Sequence, residues 1–226
     1  MLSGPGQKQA YFNQYWQTRD LPSADARSRQ RAALVQSLLP APVEKKILEV
    51  GCGRGEVMRH LTSHGYQISG CDIANETVSR LKSDGFDVFL CDVEKDPIPG
   101  KYDIVLCLEV LQQVFDPVEA LCKLGRSLNA GGRLIVSLPN EFHIQARLKL
   151  LTGQSHLGHF DQSHIRLFTP DRARELFGRA GLAVEVTIPV AVFPPGVRLF
   201  RLPGNILAHV SPGLFSLSQI YRLKVR

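Results

Sequence analysis

Carboxylates recur where short apolar runs end, and the first of them stands beside three glycines. Glu49 lies in the run 47–50, two residues ahead of Gly51, and Gly53 and Gly55 follow at alternate positions. Asp72 closes the stretch 67–72, Asp92 follows 86–91, and Glu109 follows 102–108. Glycines let a backbone turn sharply and approach a ligand with no Cβ in the way. The spacing is GxGxG, whereas a diphosphate-binding turn reads GxGxxG. An acid so near the turn suits a positively charged ligand better than a phosphate. Asp72 comes about twenty residues after the turn, where a carboxylate can accept hydrogen bonds from both hydroxyls of a ribose.

A second group of reactive side chains falls between 143 and 170: His143, Arg147, His156, His159, Asp161, His164 and Arg166. Imidazoles are the usual proton acceptors near neutral pH, so His164 and His143 are the candidate general bases. Three histidines and an aspartate also have the ligand types of a metal site. Their spacing matches no standard zinc or iron pattern, and no metal is expected.

The elements that must position these groups alternate. After the glycine turn, Val57, Met58 and Leu61 fall on one helical face. Strands are expected at 67–73, 86–91, 102–108 and 133–138, with helices between them, as in right-handed parallel crossovers. Asp116, Pro117 and Glu119 read as cap, N1 and N3 of a helix in a capping-box pattern. Asn129 to Gly132 reads as the break before the fifth strand. Thr169 and Pro170 start a helix that Gly181 ends. Strand six is expected at 182–190 and an antiparallel last strand at 219–225. Ligands of such sheets sit at the carboxyl ends of the strands, where Glu49, Asp72, Asp92 and Glu109 all fall. Ahead of the core, Tyr11, Phe12, Tyr15 and Trp16 crowd one short helix, and Ser23 is a fitting cap for a longer one ending near Pro40.

The segment 46–55 closely resembles motif I of the class I S-adenosylmethionine (SAM)-dependent methyltransferases. Glu109-Val110-Leu111-Gln112-Gln113-Val114 resembles the family's EVLEHV segment, with Gln113 where the family usually has His. LNAGGRLIVSLPN and SHIRLFTP (starting at Ser163) also match, the second resembling a signature of a subgroup active in glycan, lipid-linked or natural-product pathways. The resemblance covers nearly the whole chain. It implies an α/β fold with a doubly wound, seven-stranded, mostly parallel sheet and an antiparallel last strand. Residues 1–43 would form a helical cap, 44–190 and 215–226 the core, and 191–214 an insertion, all in one domain.

The implied cofactor is SAM, which carries an ammonium, a carboxylate and a sulfonium but no phosphate. The resemblance puts its contacts on Glu49, Gly51, Cys52, Gly53, Asp72 and Ile73. Asp92 would take the adenine amino group and the Val93 amide a ring nitrogen, with Leu108 and Tyr15 completing the site. Tyr11, Gln113, Asn140 and Arg166 are the implied acceptor contacts, while Trp16 reads as a staple to the core. The expected activity is methyl transfer, most readily to oxygen, on a small-molecule or glycan- or lipid-linked acceptor. The alternative is a non-catalytic SAM-binding protein that regulates a partner, since Gln113 cannot take a proton.

Composition sets the outer bounds. The 226 residues are 44% hydrophobic and 21% charged, as in an ordinary globular protein. Five cysteines form no CxxC pair, and reduced, buried cysteines point to the cytoplasm. The net charge of +6 gathers late: no acid follows Glu185, but Arg198, Arg201, Arg222, Lys224 and Arg226 do. This basic segment is a candidate for peripheral membrane contact. No nucleic-acid partner is expected, because no separate binding module is present. The oligomeric state has no sequence signal.

Overall fold

The structure is a computed structural model that describes residues 7–18, 26–42, 44–153, 164–192 and 198–226. The elements in chain order are α1 (Gln7–Thr18), α2 (Ala26–Ser37), β1 (Ile47–Val50), α3 (Glu56–Ser63), β2 (Ile68–Asp72), α4 (Asn75–Ser83), β3 (Val88–Leu90) and β4 (Tyr102–Leu108). A 3₁₀ turn at Leu111–Gln113 leads to α5 (Pro117–Arg126), β5 (Leu128–Pro139), α6 (Ile144–Leu151), α7 (Pro170–Arg179) and β6 (Leu182–Ala191). The chain ends with α8 (Arg198–Val210), α9 (Pro212–Phe215) and β7 (Ser216–Val225). The seven strands form one sheet in the order β3-β2-β1-β4-β5-β7-β6. β7 runs antiparallel to both its neighbours, and the other pairs are parallel.

Strand residues alternate between two faces, and each face has its own core. In β4, Val105 and Cys107 join Leu121, Leu124, Phe177 and Tyr221 beneath α5 and α7. Ile104, Leu106 and Leu108 join Val35, Leu38, Val57 and Leu61 beneath α2 and α3. The sheet is therefore clamped on both sides, and its carboxyl ends stay in place. The strand order reverses between β1 and β4, which opens a crevice at those ends.

The caps follow the sequence closely. The Asp116 side chain accepts from the amides of Val118 (3.1 Å) and Glu119 (3.0 Å) ahead of α5. Glu119, expected to reach back and complete a capping box, instead pairs with Arg126 at 2.7 Å. The Thr169 hydroxyl accepts from the Arg172 amide at the start of α7. The Ser23 cap expected ahead of α2 lies outside the described residues.

Two stretches depart from expectation. Asn129 to Gly132 does not precede β5 but belongs to it, as an irregularity between the Tyr102 and Ile104 pairings. Gly131 there has φ +75°, and a Cβ on Gly132 would lie 3.0 Å from the carbonyl oxygens of Asn129 and Asp103. Turn-type residues thus serve as a bulge within a strand. Between β6 and β7 the chain is helical from Arg198 to Val210, through Pro203 and Gly204, and β7 begins at Ser216. Of the basic C-terminal residues, Arg222 and Lys224 gather with Arg133 around Glu185 at the sheet edge. That pairing leaves less charge to offer a membrane. Among the described residues no helix is long and apolar enough to cross a membrane.

Candidate active site

The crevice at the strand ends is a cavity of about 350 Å³. Its floor is the turn after β1. The amides of Gly51 and Cys52 donate to the Cys71 carbonyl at 2.8 and 3.1 Å, which ties the turn to β2. The Gly53 amide donates to Asp72 Oδ2 and the Ala74 amide to Asp72 Oδ1, both at 2.9 Å. One buried carboxylate therefore braces both loops that border the cavity. Gly51 and Gly53 show why the turn requires glycine. Gly51 has φ +70°, and a Cβ there would stand 2.4 Å from Val110 Cγ2. Gly53 has φ +49°, and its Cβ would press on the Trp16 ring at 3.0 Å.

Glu49 is 4% exposed, and its Oε2 has no hydrogen-bond partner. Burial drives its pKa up to about 8, with Asp72 and Glu56 adding to the rise and Arg31 opposing it. An unpartnered buried carboxyl is costly. A cation in the cavity would relieve that cost. Burial also raises the Asp72 pKa, against the amides of Ala74, Gly53 and Ile73. Arg31 of α2 lines the same cavity, so a ligand bearing both an ammonium and a carboxylate would meet an opposite charge for each. SAM is such a ligand, and the glycine floor and the orphaned Glu49 oxygen fit it.

The wall at β4 holds an unusual backbone. Glu109 has φ +57°, alone among non-glycine described residues, a conformation that costs energy and clusters at functional sites. Its amide and carboxylate are both fixed by the Ser137 hydroxyl, at 3.0 and 2.8 Å. The bend turns Glu109, Val110, Gln112 and Gln113 along the cavity. His164 faces them. Its Nδ1 lies 3.1 Å from Glu141 Oε1, and its Nε2 lies 3.5 Å from Gln112 Nε2.

α1 forms the roof. Lys8, Phe12, Tyr15 and Trp16 line the cavity from above. Lys8 pairs with Glu94, whose other oxygen accepts from the Phe115 amide. Arg54 lies over the Trp16 ring, 5.9 Å from its centroid. Trp16, expected as a staple to the core, thus borders the ligand space and packs on the glycine floor.

Twelve of the sixteen residues expected to contact cofactor or acceptor, or to move a proton, meet in this cavity. Glu49, Gly51, Cys52, Gly53, Asp72 and Ile73 line its floor. Asp92, Val93, Leu108, Tyr15, Gln113 and His164 line its walls and roof. Four others do not line it. Asn140 is buried, and its amide nitrogen donates to the carbonyls of Pro212, Gly213 and Ser216. His143 is 3% exposed and caps α6, its Nδ1 accepting from the Ala146 amide. The Arg166 guanidinium donates to the carbonyls of Val114 and Phe115. Tyr11 packs against Phe12 and Tyr15 on α1. The metal reading of His156, His159 and Asp161 falls outside the described residues, and among the described residues no cluster of three potential ligands occurs.

Sequence reasoning passed over Lys8, Arg31, Gln112 and Glu141. The EVLEHV-like segment was the one available signal for Gln112. The others are ordinary polar residues in their local sequence.

Comparison with known proteins agrees with this geometry. Residues 23–186 match the family model described as a methyltransferase domain. The chain is 28% identical over 174 residues to a ubiquinone biosynthesis O-methyltransferase of Aeromonas salmonicida, covering 72% of each chain. In fold it is similar to the magnesium protoporphyrin IX methyltransferase of Synechocystis, solved with bound SAH, at TM-score 0.65 and 18% identity, over 96% of this chain and 98% of the other. It is likewise similar to the CcbJ methyltransferase of Streptomyces caelestis, at TM-score 0.66 and 14% identity over the same shares.

Proposed function

The chain belongs to the methyltransferase domain family and is a SAM-dependent methyltransferase, and from that premise we propose that it methylates a hydroxyl group of a small molecule. The observation that carries this reading is His164: an imidazole at the cavity wall, backed by a carboxylate, suits an acceptor that must lose a proton. A neutral amine is the stronger nucleophile and needs less help from such a group. The names of the curated relatives, O-methyltransferases of ubiquinone biosynthesis, support oxygen as the acceptor atom.

In this reading Glu49 would hold the amino group of the cofactor, Arg31 its carboxylate and Asp72 its ribose, and Asp92 and the Val93 amide would take the adenine. When bound, SAM would supply an electrophilic methyl carbon on sulfonium, with a neutral thioether as the leaving group. The chain's own work is to align the acceptor with that methyl carbon and to exclude water. Gln113 and Glu109 orient the acceptor, and His164 receives the hydroxyl proton at Nε2. The α1 roof closes the cavity over the reacting groups.

The test is to incubate the protein with methyl-labelled SAM and fractionated cell extract. Label is expected in a small molecule as an alkali-stable methyl ether. Label in a glycan or lipid-linked fraction would broaden the acceptor class to the one suggested by the SHIRLFTP signature. Label on nitrogen or carbon would refute the hydroxyl reading.

A further inference from the structure

Glu141 follows directly on Asn140 at the end of β5 and is 6% exposed, with its carboxylate 3.1 Å from His164 Nδ1. We propose that Glu141 is a positioning residue for methyl transfer: it holds His164 in the tautomer that carries its proton on Nδ1 and presents Nε2 to the cavity as proton acceptor. The proposal rests on the hydroxyl-acceptor reading above and assigns the group that makes His164 competent.

Both ring nitrogens specify the same tautomer. An ionised carboxylate can only accept a hydrogen bond, so the nitrogen facing Glu141 carries the hydrogen. At the other end, the Gln112 amide has a fixed orientation, because its Nε2 donates to the Glu109 carbonyl at 2.8 Å. Its nitrogen rather than its oxygen is therefore turned to His164 Nε2. An amide nitrogen can only donate, so this contact favours the lone pair on His164 Nε2. That contact, at 3.5 Å, is long and weak. An acceptor hydroxyl can displace it at little cost.

Both partners sit on anchored backbone. The amides of Ile165 and Arg166 donate to the Gln112 carbonyl at 3.0 and 3.1 Å, which fixes the chain directly after the ring. The Arg166 guanidinium clamps the carbonyls of Val114 and Phe115 to the same loop. On the other side, the Asn140 amide is held by three carbonyls and its Oδ1 accepts from the Phe142 amide. Without the carboxylate the ring could carry its proton on Nε2 instead. It would then offer the acceptor a donor and could not take its proton. With the carboxylate, the proton lost by the hydroxyl goes to Nε2 as the C–O bond forms, and the resulting imidazolium stays paired with Glu141.

The tautomer can be read directly, with no acceptor in hand. In protein carrying ¹⁵N-histidine, the two ring nitrogens have distinct shifts for N–H and lone-pair states. His164→Gln identifies the ring among the seven histidines. In mildly alkaline buffer, the wild type is expected to show N–H at Nδ1 and a lone pair at Nε2. Glu141→Gln is expected to move the hydrogen toward Nε2 and to lower kcat about 10- to 10³-fold, leaving affinity for S-adenosylhomocysteine unchanged. Glu141→Asp should restore part of both. A wild-type ring protonated at Nε2 overturns the proposal, and that result does not depend on how Glu141→Gln folds. So does a Glu141→Gln protein that loses kcat with its tautomer unchanged. Binding of S-adenosylhomocysteine by the wild type is measured first. Failure there refutes the function, whereas a wrong tautomer with intact binding refutes Glu141 alone.

Discussion

Glu49 makes the ligand-free protein pay at high pH, and the size of that effect follows from its burial. Its carboxyl holds its proton to about pH 8 in the fold, against 4.5 when free. Below pH 4.5 it is protonated in both folded and unfolded chains and contributes nothing to their difference. Between 4.5 and 8 the unfolded chain releases this proton while the folded one keeps it, so stability falls as pH rises. At about 1.4 kcal/mol per pH unit the loss reaches about 3 kcal/mol at pH 7 and about 5 kcal/mol beyond pH 8. Glu49→Gln keeps the shape and removes the titration. Urea denaturation of ligand-free wild type and variant from pH 5 to 8.5 should give curves that diverge by several kcal/mol, the variant gaining with pH. Other titrating groups are common to both and cancel. Parallel curves would mean that burial does not hold the proton on Glu49. A second consequence follows for binding: a cationic ligand at Glu49 expels its proton. Calorimetry of SAM at pH 7 in buffers of different ionisation enthalpy should then show proton release in the wild type that Glu49→Gln lacks.

Two further substitutions probe the acceptor wall and the floor. His164→Ala should lower turnover about 10²–10⁴-fold with little change in SAM affinity, and His164→Gln should not rescue it, since an amide keeps a hydrogen bond but not the basicity; normal turnover in either variant would remove the base from the mechanism. Gly51→Ala must hold an L-residue at φ +70° and place a Cβ 2.4 Å from Val110 Cγ2, so it should lose roughly 1–2 kcal/mol for the backbone alone and bind S-adenosylhomocysteine weakly; a denaturation midpoint equal to wild type would show that the turn relaxes freely.

The sheet and the cluster of strand-tip residues around the cavity were legible because they depend on local signals. Apolar runs ending in Glu49, Asp72, Asp92 and Glu109 mark strand tips, and parallel crossovers bring strand tips to one edge whatever the side chains do next. The acceptor side was harder to read because type and spacing do not say which partner a side chain finds. Asn140 and Arg166 have the chemistry of ligand contacts, but neighbouring backbone carbonyls take their donors. His143 becomes the cap of the helix it precedes. Glu141 gains its role only when the β5 end meets the loop at His164, 23 positions away. Arg31 and Trp16 come from helices whose docking over the sheet leaves no periodic trace in their own sequence. Pro203 and Gly204 argued against the helix that Arg198–Val210 forms.

Every role proposed above depends on SAM sitting in this cavity, with Asp72 at its floor. Calorimetric titration of wild type and Asp72→Ala with SAM, S-adenosylhomocysteine and NAD tests it most directly. Saturable binding of both adenosyl ligands by the wild type is expected, and none of NAD. Asp72→Ala should weaken that binding by at least ~1.5 kcal/mol, from the lost ribose hydrogen bonds, and further through the freed amides of Gly53 and Ala74. Equal affinity in the variant, or binding of NAD with no response to SAM, would contradict it.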